Sequence, residues 1–214
     1  MFIFIKRKSP KTKNHRKHKK EWSFTIIELL VVVAIIGILA TITILNLHSA
    51  KESAKISKSA FFQKQLLEAV ELYFNDMDFY PPDVNRGWDP GFMRSLPWSP
   101  DEEAGISTWG PGTNCSHCPS NWQEIVQKNW SGPYIKQWPR FTEWQGKYDY
   151  NYWASEINRY GCSVPAGIYV GIQGNYQNSN IIPPGAEQKM IEKGFDSDRC
   201  LNGESQMLLW RLGN

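Results

Sequence analysis

The chain is short of what catalysis ordinarily needs. It has no G-x-S-x-G elbow, no H-E-x-x-H pair and no phosphate-cradling glycine loop. Beyond residue 23 it keeps two histidines, His48 and His117. Carboxylate neighbours such as Glu102 and Glu103 lie in loop-like text and read as solvated surface. These absences point away from an enzyme. Basic charge is also missing where a nucleic-acid-binding domain would carry it. The formal net charge of +3 comes from residues 1–23, which hold nine of the 24 basic residues and one acid, Glu21. The other 15 basic and 20 acidic residues leave about −5, so no nucleic acid is expected on the rest of the chain. Two further gaps organise the whole. Residues 48–77 contain no Gly and no Pro, and residues 24–47 contain a single ionisable side chain, Glu28.

What is present begins with that second stretch. About 20 apolar residues cross a bilayer core of about 30 Å, so residues 24–47 can span a membrane. The run is too long for a secretory h-region, and no small-x-small cleavage site follows it. The basic residues ahead of it hold the N-terminus on the cytoplasmic side and place everything after Leu47 outside. Glu28 needs an account, because a charge at mid-membrane costs roughly 2.5–3.5 kcal/mol, less near the interface. Either it lies near the membrane surface and snorkels, or the chain is cut just before Phe24. In the second case Glu28 falls in the first turn of a helix, where the dipole and a new α-amine both favour a carboxylate. A neighbouring copy's amine serves equally well.

The run Ser23-Phe24-Thr25-Ile26-Ile27-Glu28-Leu29 behind a basic leader resembles the class III signal of type IV pilins and type II secretion pseudopilins. The resemblance implies cleavage by a prepilin peptidase between Ser23 and Phe24, and N-methylation of Phe24. It implies a role for Phe24 and Glu28 in docking subunits into a filament on an inner-membrane assembly platform. Ser23 stands where the family usually has Gly. The later Pro81-Pro82-Asp83-Val84-Asn85-Arg86-Gly87 is similar to the post-helix segment of pseudopilin-like proteins.

Past the apolar run the helix is expected to continue to about Met77. Phe62, Leu66, Ala69, Val70, Tyr73, Phe74 and Met77 recur at spacings of three and four, an apolar face. Residues 50–60 are small and polar and predict a solvated or weakly packed middle. Pro81-Pro82 is expected to end the helix. Residues 83–139 are punctuated by Gly and Pro every few positions and read as loop, with one short helix over 121–129 capped by Asn121. Seven tryptophans between Trp88 and Trp144 argue that this loop is pinned down, as core or as a stacking platform for a glycan. Strands are expected at 148–153, 167–173 and 205–210, with a short helix over 185–193 closed by Gly194.

Four thiols on the outer side of a membrane favour disulfides, with three possible pairings. Cys162–Cys200 and Cys115–Cys118 are the expected ones. The rival is a zinc site built on Cys115, Cys118 and either His117 or the distant cysteines. Asp196 and Asp198, followed by Asn202 and Glu204, present oxygens that suit calcium, although no EF-hand loop is present. An ordinary solvated turn is the alternative, and the resemblance, whose major pseudopilins carry calcium in a C-terminal loop, speaks for the ion.

These readings converge on an α+β fold, a long N-terminal helix packed on a small antiparallel sheet. The expected organisation is a leader (1–23), a transmembrane or filament-core half-helix (24–47), an amphipathic half-helix (48–79) and a globular head (80–214). The expected function is a subunit of a type II secretion pseudopilus, a single-pass inner-membrane protein that partners with itself in an extracytoplasmic filament. A type IV pilin serving adhesion, DNA uptake or motility is the alternative. A membrane-tethered glycan-binding module is a third reading, from a different class.

Overall fold

The computed structural model describes residues 25–179 and 181–212. The leader and the junction of Ser23 with Phe24 lie outside the described residues. The helices are α1 (Ile26–Met77), α2 (Pro100–Glu103), α3 (Trp122–Asn129) and α4 (Pro184–Glu192). The strands are β1 (Lys147–Trp153), β2 (Ile157–Arg159), β3 (Cys162–Val164), β4 (Gly167–Gln173) and β5 (Ser205–Arg211). Strands β1, β4 and β5 form an antiparallel sheet with β4 in the middle, and β2 and β3 form a separate hairpin. The α+β expectation holds. Two compact units meet at Asn46 and Leu47.

In the second unit, residues 47–77 of α1 bury one stripe on the sheet. Leu66, Ala69, Val70, Tyr73 and Met77 share a core with Tyr148 and Tyr150 of β1, Ile168, Val170 and Ile172 of β4, and Met207 of β5. The expected solvated or weakly packed middle holds for residues 50, 51, 54, 55, 57 and 58, which are exposed, but not throughout. Ile56, Ser59 and Ala60 are buried, because the head packs along α1 further towards its N-terminus than the apolar periodicity indicates. Gln63 is buried as well, and its amide donates to Ser205 Oγ at 3.1 Å and Val170 O at 3.4 Å.

The helix also ends differently. Asp78, at φ 61°, terminates it three residues before Pro81, with its N–H donating to Phe74 O at 2.8 Å. A short polar side chain tolerates this left-handed conformation. The prolines then keep the chain extended rather than stopping the helix.

The sheet's middle strand is buried on both faces. Gly171 makes this possible, since a Cβ there would lie 2.7 Å from Ser205 O. Helix α4 ends in a Schellman motif. The N–H of Phe195 reaches Met190 O, that of Gly194 reaches Ile191 O, and Gly194 takes φ 73°. Asn121 sits at the N-cap of α3 but makes no side-chain capping bond, whereas Ser99 caps α2, which the Gly/Pro punctuation hid.

The tryptophan-rich loop is held mainly by burial. Trp88, Phe92 and Trp138 are core residues, and Trp138 Nε1 donates to Gly87 O at 3.1 Å. Asp89 sits wholly inside, its carboxylate accepting backbone N–H groups from Gly91, Phe92, Met93 and Arg94. Burial nevertheless pushes its pKa up to about 6. Lys147, buried at the start of β1, pairs with Asp101 and donates to Arg140 O at 2.8 Å.

Candidate functional site

The first described residues form a reciprocal cap. Thr25 donates to Glu28 Oε2 through its N–H at 2.9 Å and its hydroxyl at 2.8 Å, and the Glu28 N–H donates back to Thr25 Oγ1 at 3.2 Å. This is a capping box, Thr at N-cap and Glu at N3, and it satisfies donors that a helix start otherwise leaves bare. The sequence reading explained Glu28 by charge alone. The signal for the cap was present as Thr-x-x-Glu ahead of an apolar run.

Behind the cap, the large apolar side chains from Ile26 to Ile44 whose exposure the structure gives are all open, from 47% to 82%. The hydroxyls among them are not. Thr41 Oγ1 donates to Gly37 O at 2.9 Å and Thr43 Oγ1 to Leu39 O at 2.8 Å. A helix whose polar groups close on its own backbone suits lipid, where nothing else could satisfy them. An apolar surface of this extent requires a cover of lipid or protein. The described part of the chain thus holds one helix long and apolar enough to cross a membrane.

At the other end of the chain lies the acidic turn. Asp196 Oδ1 accepts the Gln206 N–H at 3.1 Å, and Asp198 Oδ1 accepts the Cys200 N–H at 2.9 Å. Asp196 Oδ2 and Asp198 Oδ2 are buried and have no partner among the described residues. Burial raises both pKa values, and the Asp198 charge raises that of Asp196 further. The other two residues expected here are engaged elsewhere. Glu204 is held bidentately by Arg159 at 2.7–3.1 Å, and Asn202 Oδ1 accepts the Glu204 N–H at 2.9 Å. Two hard oxygens left bare on adjoining carboxylates fit a divalent cation such as calcium.

Both expected disulfides are present, Cys162–Cys200 and Cys115–Cys118. The first ties β3 to the turn that carries Asp198. The second closes a local turn beside Tyr80, with Cys118 Sγ 3.8 Å from Tyr80 O. His117 lies between Cys115 and Cys118 with its ring stacked on Tyr152 at 3.5 Å. Of the tryptophans, Trp109 and Trp210 stand exposed, and Trp109 meets Tyr176 edge-on at 5.4 Å. Most of the indole surface is core, which leaves a glycan platform little to rest on.

Comparison with known proteins agrees with this layout. The chain is 30% identical over 100 residues to the type II secretion system core protein G of Vibrio cholerae, covering 40% of this chain and 68% of that protein. It is 36% identical over 72 residues to the core protein G of Escherichia coli K12, 34% of this chain and 49% of that one. The type IV major pilin protein PilA of Myxococcus xanthus is 39% identical over 71 residues, 33% of this chain and 32% of the pilin. No family model matches the chain, and no solved structure matches it. A capped apolar helix start and, within the second unit, a helical stripe that packs on a three-stranded antiparallel sheet, together with that similarity, identify the chain as a member of the type II secretion system core protein G family.

Proposed function

We propose that this protein is a pseudopilin, the polymerising subunit of a type II secretion pseudopilus. The observation that carries the reading is the exposed apolar stretch of α1, with every hydroxyl closed on its own backbone and one carboxylate held at its start. Prepilin peptidase cuts between Ser23 and Phe24, and the new α-amine of Phe24 is methylated. Glu28 then answers the amine of a neighbouring subunit while the apolar helices cover one another. The basic leader keeps the N-terminus cytoplasmic, the head lies outside, and an inner-membrane platform feeds subunits into the filament. The similarity to the Myxococcus pilin keeps a type IV pilus as the alternative destination.

Calcium belongs to the same proposal. Asp196 Oδ2 and Asp198 Oδ2 would hold it, and the ion would cancel their repulsion and tie the turn to β5. The unpartnered oxygens support this.

Glu28→Ala tests assembly. The variant should be processed and remain in the membrane but form no filament. Filaments at the wild-type level would overturn the reading. The N-terminal mass of protein recovered from cells reports cleavage and methylation together, and a chain still joined at Ser23–Phe24 inside filaments would remove the amine from the mechanism.

A further inference from the structure

The loop that carries Cys115 and Cys118 holds more than a disulfide. Their Sγ atoms and a ring nitrogen of His117 all lie within 4.8 Å of one another, a grouping of three potential metal ligands among the described residues. His117 Nε2 stands 3.8 Å from Cys115 Sγ, 3.2 Å from Tyr80 O and 3.0 Å from Pro81 O. Cys118 Sγ is 3.8 Å from Tyr80 O. The ring is fixed by its stack on Tyr152, and the loop by paired backbone bonds between Asp83 and Asn114 at 2.8 Å.

These spacings match the edges of a coordination tetrahedron. With metal–sulfur bonds of about 2.3 Å and metal–nitrogen or metal–oxygen bonds of about 2.1 Å, sulfur–nitrogen edges come to about 3.6 Å and nitrogen–oxygen edges to about 3.4 Å. Of the distances given, only the one between the two sulfurs has to open, from a covalent bond to about 3.8 Å. Their Cα atoms stand 5.1 Å apart. In the oxidised chain Nε2 donates its proton to the two carbonyls, and a metal would take that proton's place.

We propose that, with its disulfide reduced, this loop is a binding site for a zinc-class transition-metal ion. Its ligands are Cys115 Sγ, Cys118 Sγ, His117 Nε2 and Tyr80 O. The reductant is an external dithiol. It transfers two electrons and two protons to the Cys115–Cys118 bond and leaves as its own disulfide. Binding of M²⁺ then displaces the two thiol protons and the Nε2 proton, the imidazole taking up a proton at Nδ1 where it had none. Oxidised, the loop is a clasp; reduced, it is a metal site, so the two states exclude each other.

The test uses the full chain in detergent, reduced with a dithiol that is then removed, and titrated with Co²⁺ as the spectroscopic stand-in. The reduced wild type should bind one ion with a thiolate-to-cobalt charge-transfer band, and Zn²⁺ should displace it, being the tighter-binding ion. The oxidised wild type should give no such band. Cys115→Ser with Cys118→Ser should lose the band although Cys162 and Cys200 remain reducible. His117→Ala should weaken binding by more than about tenfold. Circular dichroism checks folding, and His117→Gln replaces the alanine variant if that one fails to fold. No charge-transfer band in the reduced wild type, or a band that survives the serine pair, overturns the site. Undiminished affinity in the His117 variant removes its nitrogen from the ligand set and overturns the proposal as stated.

Discussion

The residues of α1 before Leu47 and the head that begins there solve the same physical problem in opposite ways. In the head, apolar side chains meet one another, and several polar groups that go inside pair with residues far along the chain. Lys147 reaches Asp101, Arg159 reaches Glu204, and Gln63 reaches Ser205. In the apolar stretch no large side chain among the described residues is buried, while its threonine hydroxyls are satisfied within one helical turn. One unit is complete as it stands. The other leaves an apolar surface that something outside itself has to cover.

The sharpest way to break this comparison is to separate the units. A chain beginning at Leu47 should be soluble without detergent, monomeric by sedimentation and cooperative in thermal unfolding. The full chain should need detergent or lipid. Aggregation of the shortened chain, or failure to melt cooperatively, would mean that the head depends on the stretch before it.

The two units were also unequally legible. The apolar run, its lone carboxylate and the long helix could be read directly, because 3.6-residue periodicity and hydropathy are local properties. Strands β1, β4 and β5 and the Gly194 cap could be read for the same reason. The hairpin of β2 and β3 could not. Its strands have three residues each, too few for alternation to register, and its turn puts Tyr160 at φ 52°, a place where Gly or Asn is expected. Burial at Ile56 and Ser59 and the Arg159–Glu204 pair were hidden because their partners lie far off in sequence. At the acidic turn, Asp196 to Glu204 read as one ligand run, and only the structure shows Glu204 committed to Arg159.

The disulfides give the next effect. Closing 38 residues should stabilise the head by about 4 kcal/mol in a loop-entropy account, and a three-residue separation by about 2 kcal/mol. Denaturant unfolding of Cys162→Ala/Cys200→Ala should therefore show roughly twice the loss seen in Cys115→Ala/Cys118→Ala. An equal or reversed order would show that the short clasp does more than restrict the unfolded chain.

The buried acids set a pH dependence of similar size. Burial raises Asp83 to about 7 and Asp89 to about 6, above the unfolded value near 3.8. Between those limits the folded chain holds more protons than the unfolded one. Stability should thus fall as pH rises from about 4 to about 7, by up to about 1.4 kcal/mol per pH unit for each group. Melting at pH 5 and pH 8 in chelator checks the sign. Calcium should raise Tm at pH 8, by an amount equivalent to about 2.7 kcal/mol at 100 times its Kd. Asp196→Asn with Asp198→Asn should abolish that increment, since the amides lack the anionic oxygens the ion would take.

The subtlest change concerns the cap, where two roles of Glu28 coincide. As an N3 acceptor it closes the helix start with Thr25; as an anion it offers charge to an amine. Glutamine also serves at N3, so Glu28→Gln keeps the first role and deletes the second. Thr25→Val does the reverse, removing the hydroxyl from the cap at a cost of about 1 kcal/mol while leaving the carboxylate. If assembly runs on charge, the glutamine variant should form no filament and the valine variant should form filaments with a slightly frayed helix start. Hydrogen exchange at residues 26–29 in detergent would show the fraying, and electron microscopy the filaments. The opposite pattern would mean that the helix start itself, rather than the anion on it, is what neighbouring subunits require.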